Sequence, residues 1–335
     1  MTKKDNRFYN LDCIEGCQKH ITNESVDLII TDPPYGINGD SLHKHYNRNE
    51  EFVLDGYIEI PEKEYATFSQ QWIKEAERIL RPGGSMYIVS GHTNLIHILN
   101  ALRQTKLQEI NHIIWKYNFG VYTKRKYVTS HYHILYYCKP GGTRTFNTYC
   151  RYGQLEKNND NGSMNYLDRE DVWIINREYQ PGKIKNKNQL PSGLLQKMIL
   201  YSSNESDVIC DLFLGGFSTA KTSIGLNRIA WGFELNKTAF DHGRKETEKI
   251  IKGNLLKTLQ LPENDSHTNQ GKPWTDKEFK TLAARYDLLY KKHKTKRQAI
   301  DELSKELGRG YFSILNALKK KGIDYRYTKK DNKDD

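Results

Sequence analysis

The segment Ser25-Val26-Asp27-Leu28-Ile29-Ile30-Thr31 is an apolar run with little alternation, and it ends directly in a double proline. A strand wetted on one face alternates apolar and polar residues, whereas a continuous run suits a strand covered on both faces, as in parallel sheets. That feature demands helices on each side of a sheet, and the chain to about residue 250 supplies them. Residues 63–80 set Tyr65, Phe68, Trp72, Ala76, Ile79 and Leu80 on one helical face, with Arg81-Pro82-Gly83-Gly84 as the stop. A buried strand at 86–89, a helix near 93–104 and strands at 110–117 and 133–138 follow. A helix over 193–201, a strand at 207–211, a helix from Ser218, a strand at 228–234 and a helix after Asn236 complete the series. Alternation of this kind predicts an α/β protein with a Rossmann-like doubly wound sheet.

The organisation read from the chain is a main domain over 1–252, a linker over 253–272 and a small all-α domain over 273–325. Within the main domain, about 140–185 is rich in Asn and Gly with weak periodicity and reads as a loop-rich insertion. In the last domain Thr275 or Asp276 can cap a helix that places Phe279, Leu282, Tyr286 and Leu289 on one face. Helices from about 296 and 311 follow, separated by Gly308-Arg309-Gly310. No stretch is long and apolar enough for a membrane span, and the N-terminus lacks the apolar core of a secretion signal, so a soluble cytosolic protein is expected. Cys13, Cys17, Cys138, Cys150 and Cys210 are an odd set without paired CxxC spacing, read as reduced thiols. Cys13, Cys17 and His20 lack a second ligand pair, so no metal is expected.

Asp32-Pro33-Pro34-Tyr35 stands directly after the first buried strand. An exocyclic aromatic amine is a poor nucleophile because its lone pair is delocalised into the ring. A carboxylate accepting one N–H and a backbone carbonyl accepting the other favour a pyramidal nitrogen with a free lone pair. Two prolines stiffen the turn and leave a carbonyl unpaired and directed outward. Tyr35 offers a face on which a flipped-out base can stack. The competing reading is a proline turn with an incidental Asp and Tyr.

A second motif, Asp211-Leu212-Phe213-Leu214-Gly215-Gly216-Phe217-Ser218-Thr219, lies between a strand and a helix. A glycine-rich turn lets backbone N–H groups at a helix start approach an anionic group. Glu234, at the end of the next strand, is placed to accept from ribose hydroxyls. If the strands ending at Thr31 and Asp211 are neighbours where strand order reverses, the two motifs adjoin.

With Asn10-Leu11-Asp12-Cys13-Ile14-Glu15, Leu80-Arg81-Pro82-Gly83-Gly84 and Ile113-Ile114-Trp115-Lys116, these motifs form an ordered set over about residues 8–245. That set resembles the β-class of DNA amino-methyltransferases, in which the DPPY box precedes the target-recognition insertion. The resemblance implies S-adenosyl-L-methionine as methyl donor, double-stranded DNA as partner and adenine N6 as target, since Asp32 rather than Ser heads the box. It implies catalytic roles for Asp32, Pro33, Pro34 and Tyr35. Asp12 is expected near the cofactor adenine, and Gln189 and Pro191 at its methionine end. Asp211, Phe213, Gly215, Gly216, Ser218 and Glu234 complete the expected cofactor set. The family's Phe-x-Gly-x-Gly is broken here by Phe217, which can crowd the cofactor or pack beneath the loop, and Leu212 stands where the family carries Pro.

Residues 265–335 hold 18 Lys and Arg against 11 Asp and Glu, so +7 of the net +11 is concentrated there. That concentration suggests nucleic-acid contact, with Lys296, Arg297 and Arg309 as candidates. The helices resemble a helix-turn-helix or Myb-like module, although a protein-docking bundle has the same pattern. A second candidate surface interleaves Lys116, Lys124, Arg125 and Lys126 with Tyr117, Phe119, Tyr122 and Tyr127. His131 and His133 share one strand face and suit a structural or positioning role. An RNA adenine methyltransferase and a catalytically silent nucleic-acid-binding subunit remain alternatives, and the oligomeric state is open, a homodimer included.

Overall fold

The computed structural model describes residues 5–34, 60–118, 120, 124–147, 169–178, 189–258, 269, 273–293 and 295–323. The chain forms two compact units, Met1–Leu259 and Gln260–Asp335. In the first unit the strands are β1 (Arg7–Tyr9), β2 (Val26–Thr31), β3 (Leu80–Ser90), β4 (Gln108–Lys116), β5 (His131–Cys138), β6 (Val172–Ile174), β7 (Val208–Asp211) and β8 (Ile229–Phe233). They build one sheet in the order β1-β8-β7-β2-β3-β5-β4-β6. The run from β1 to β3 is parallel, β5 is antiparallel to β3 and β4, and β6 pairs parallel with β4.

The two-sided burial expected of β2 is present. Val26 and Ile29 pack with α1 (Cys13–His20), α2 (Glu62–Ile79) and α3 (Leu95–Leu102). Leu28 and Ile30 pack on the opposite face, against Leu194, Leu195 and Met198 of α4 (Ser192–Ser202). Each buried aliphatic side chain contributes roughly 1.5–3 kcal/mol of transfer free energy, so this strand anchors both layers. Helices α5 (Ser218–Gly225) and α6 (Lys237–Glu248) follow β7 and β8 in turn. From β2 the chain proceeds to β3 on one side, and β7 continues to β8 on the other. The order therefore reverses between β2 and β7, which pair directly through Leu28–Ile209 and Ile29–Cys210. That crevice is where a ligand site is expected in an open parallel sheet.

Three features depart from the sequence reading. Arg81-Pro82-Gly83-Gly84 follows the end of α2 but also belongs to β3, which starts at Leu80 instead of Met86. Arg81 is tied to Asp27 at 2.6 Å, and Gly83 adopts φ +76° where β3 shifts register against β2. A Cβ on Gly83 would lie 2.4 Å from the Thr143 carbonyl oxygen, so the position needs glycine on both counts. Strand β6 lies within the stretch read as a loop-rich insertion, fixed by the buried Trp173, whose indole N–H donates to Glu170 O. Strand β1 and helix α1 escape the sequence reading, being too short to establish a period.

The second unit consists of α7 (Asp276–His293), α8 (Lys296–Leu307) and α9 (Tyr311–Lys320) around a core of Leu282, Tyr286, Leu289, Ile300, Leu303, Ile314 and Leu318. Gly308 closes α8 in the left-handed conformation at φ 59°.

Candidate active site

The ends of β2, β7 and β8 open on one cavity. Asp32 and Pro34 line it from the β2 side, Asp12 from the start of α1, and Gln189 and Leu190 from the segment before α4. Asp211, Phe213, Gly215, Gly216, Ser218 and Glu234 line it from the β7–α5 turn and the end of β8. Both sequence motifs thus face the same hollow although about 180 residues separate them. Tyr35 lies outside the described residues. Pro33 is buried in the turn and does not line the cavity, and neither does Pro191, which is buried at the N-cap of α4.

The turn is built around two carboxylates. Asp211 is buried; its Oδ1 accepts from the Phe213 N–H at 3.0 Å and from the Thr31 hydroxyl at 3.1 Å. Burial pushes its carboxyl up to about 6, against the opposing influence of Thr219, the Phe213 N–H and Thr31. Glu234 accepts from Gly215 N–H and from Asn236 N–H, each at 2.7 Å, and so fastens the glycine turn to the end of β8. Burial raises this carboxyl too, while those backbone donors oppose the shift. A carboxylate oxygen carries two lone pairs, so each oxygen of Glu234 can accept a further hydroxyl donor.

Helix α5 begins at this turn without a side-chain cap, so its first N–H groups and the positive end of its dipole remain for an anion. Phe217 sits at its N-cap with φ 60°. Its ring does not enter the cavity. It is fully buried among Leu214, Ala220, Ile224 and Phe240, with Phe8 edge-on at 5.3 Å. Gly243 of α6 makes the room: a Cβ there would come within 2.1 Å of the Phe217 ring. The silent-subunit alternative thereby loses the feature that favoured it.

Several residues in and around the cavity escape the sequence reading as site residues. Ile60 and Phe68 form an apolar wall, with Phe68 against Phe213 at 5.8 Å and Trp72 edge-on to the same ring. Phe68 is legible in sequence only as a helix-face residue, since periodicity cannot distinguish core from pocket. Thr31 leaves a fainter signal, a polar residue closing an apolar strand. Tyr65, buried on α2, also reads as core; burial and then the charge of Asp32 raise its phenol.

The histidines hold one another. His112 Nε2 and His133 Nδ1 share a hydrogen bond of 2.9 Å, and His131 packs edge-on to His133. Burial, then the neighbouring His112, His131 and His92, push His133 down to about 4. Among the described residues no cluster of His, Cys, Asp and Glu is arranged for a metal, and no helix is long and apolar enough to cross a membrane.

Of the expected nucleic-acid contacts, Lys116 is exposed at the end of β4, with its ammonium bonded to Tyr117 O at 2.7 Å. Lys124, Arg125 and Lys126 are exposed in the β4–β5 connection beside Tyr127, which is 98% exposed. Lys296 and Arg297 occupy the first turn of α8. Arg309 is a correction. It is 2% exposed, with its guanidinium on Glu278 at 2.7 and 3.0 Å, on Pro273 O at 2.9 Å and over the Trp274 ring. A fully committed guanidinium inside the bundle offers nothing to a phosphate.

The residues of the proline box and a glycine turn meet at one switch point, the arrangement that the resemblance to amino-methyltransferases implies. Residues 26–245 match the N6/N4 family described as DNA methylase, and the chain belongs to that family. It is 30% identical over 240 residues to the type II methyltransferase M.HpaI of Haemophilus parainfluenzae, covering 70% of this chain and 72% of that protein. It is also 30% identical over 278 residues to the DNA adenine methyltransferase YhdJ of Escherichia coli K12, covering 74% and 89%. Among solved structures, TTHA0409 of Thermus thermophilus in complex with S-adenosyl-L-methionine, titled a putative DNA modification methylase, aligns with a TM-score of 0.53 at 21% identity, over 74% of this chain and 95% of that one. The cytosine-N4-specific PvuII DNA methyltransferase aligns with a TM-score of 0.55 at 13% identity, over 77% and 95%. At these identities the structural matches establish the shared fold.

Proposed function

We propose that this DNA methyltransferase acts on the exocyclic N6 amine of adenine at specific sites in double-stranded DNA. The observation that carries the reading is the meeting of Asp32 and Pro34 with the Gly215–Ser218 turn in one cavity at the β2/β7 reversal. Asp32 at the head of the box, and the likeness to an adenine methyltransferase along most of that relative's length, support adenine over cytosine.

The cavity suits S-adenosyl-L-methionine part by part. The open N-terminus of α5 and the Gly216 backbone would receive the carboxylate of its methionine moiety. Glu234 accepts from the ribose hydroxyls, and the apolar wall of Ile60, Phe68 and Phe213 borders the pocket. When bound, the cofactor would supply an electrophilic methyl group, whose bond to the sulfonium sulfur breaks to leave a neutral thioether. Asp32 accepts one N–H of the target amine and a backbone carbonyl of the proline turn accepts the other, which frees the nitrogen lone pair. Tyr35 stacks on the flipped base. Once the new N–C bond has formed, the surplus proton leaves the nitrogen for solvent. The basic residues 124–126 and the exposed Tyr127 offer phosphate and stacking contacts to the duplex.

Incubation of plasmid DNA with the purified chain and S-adenosyl-L-methionine, followed by nucleoside mass spectrometry, tests the reading. N6-methyladenine is expected, with a loss of about a hundredfold or more in rate for Asp32→Ala, the typical effect of removing a preorganised polar contact. N4-methylcytosine as the product, or near wild-type rates for Asp32→Ala, would overturn it.

A further inference from the structure

The second unit lies wholly outside residues 26–245 and has architecture of its own. Helices α8 and α9 are joined by the three residues Gly308-Arg309-Gly310, the short glycine turn of a helix-turn-helix. What α9 presents outward is specific. Ile314, Ala317 and Leu318 face the core, and Ser313 is held by the Trp274 indole at 3.2 Å. Phe312, Asn316, Lys319 and Lys320 are exposed, and their spacing puts them on one stripe of the helix. Phe312 is 66% exposed, an unusual position for a large apolar ring on a bundle whose other described aromatics are buried or half-buried.

Charge also marks this face. Between α7 and α8, Arg285 is met by Glu306 and Lys292 by Glu302. Helix α9 carries no acidic residue and ends in Lys319 and Lys320, while Arg297 is exposed in the first turn of α8. An apolar ring, a carboxamide one turn on and two terminal lysines match what a major groove offers. A thymine methyl takes apolar contact, an adenine edge takes a bidentate Asn, and flanking phosphates take Lys and Arg.

We infer that α9 is a sequence-reading helix, with Phe312 and Asn316 recognising an A·T-containing element of duplex DNA in addition to the bases read by the methylating unit. Arg309 braces the turn that presents this helix instead of touching DNA. The inference rests on the chain's acting on DNA and is tested by binding alone, so it fails or stands separately from the identity of the methylated base.

The experiment is selection of full-length protein against a randomised duplex pool, followed by titration at several salt concentrations. All four side chains are exposed, so Phe312→Ala/Asn316→Ala and Lys319→Gln/Lys320→Gln should melt like the wild type. The wild type should enrich an A·T-containing element that the Phe312→Ala/Asn316→Ala variant loses, with a drop of about tenfold or more in affinity for the selected sequence. The lysine variant should weaken binding to all sequences alike and flatten the salt slope by roughly 0.9 per lost phosphate contact. Unchanged selection and unchanged affinity in both variants would overturn the inference. So would an effect confined to association with another protein.

Discussion

The Thr31 hydroxyl donates to Asp211 Oδ1 at 3.1 Å, joining the last residue of β2 to the last residue of β7 across 180 positions of sequence. The residue after Thr31 begins the DPPY box, and the residues after Asp211 form the glycine turn, so this bond fastens the two halves of the candidate site together. Thr31→Val keeps the shape and removes the donor. The buried carboxylate then loses a partner, at a cost of about 1–3 kcal/mol. A lowered thermal midpoint and weaker S-adenosyl-L-methionine binding by calorimetry are expected.

Asp211 also sets a pH dependence. Its folded-state carboxyl is raised to about 6 from an ordinary 3.8, so the folded chain holds this proton more firmly than the unfolded one. The resulting stabilisation is complete below about 3.8 and is lost as pH rises through about 6. Asp211→Asn keeps an acceptor for Phe213 N–H and Thr31 and cannot ionise. As pH rises from about 4 to about 6, the thermal midpoint of the wild type should fall relative to that of Asp211→Asn, and the difference should level off above that, as followed by circular dichroism.

Phe217 tests the balance between backbone strain and burial. Its left-handed conformation costs about 1–2 kcal/mol, and truncating a buried Phe typically costs about 3–5. Burial wins, so Phe217→Gly should destabilise the main unit by roughly 2 kcal/mol, the difference of those two ranges, in a denaturant titration. Gly243→Ala should destabilise by a similar amount from the opposite direction, since its methyl meets the Phe217 ring at 2.1 Å.

Arg309 belongs to stability. Its guanidinium and the Glu278 carboxylate are both largely withdrawn from solvent, and removing one partner of such a pair typically costs about 3–5 kcal/mol. Arg309→Ala should therefore unfold the helical unit at lower temperature while S-adenosyl-L-methionine binding by the main unit stays unchanged. Limited proteolysis with a cofactor-binding measurement on the same sample separates the two outcomes.

The sequence by itself determined the local chemistry. An apolar run without alternation can only be satisfied between two layers, so β2 and its flanking helices were legible from Ser25–Thr31. The DPPY box and the glycine turn announced themselves because they break the periodicity around them. What the tertiary structure decided was direction and company. Whether Phe217 blocks the cofactor or supports its loop depends on a hole left by Gly243, a residue whose lack of a side chain means nothing locally. Whether Arg309 reaches DNA depends on Glu278, 31 residues earlier, which captures it inside the bundle. Phe68 and Phe312 look alike in a helical pattern, yet one walls the cavity and the other faces water. Composition and spacing fix which side chains share a face; the partner that face meets is supplied by distant segments, and only the packed chain specifies it.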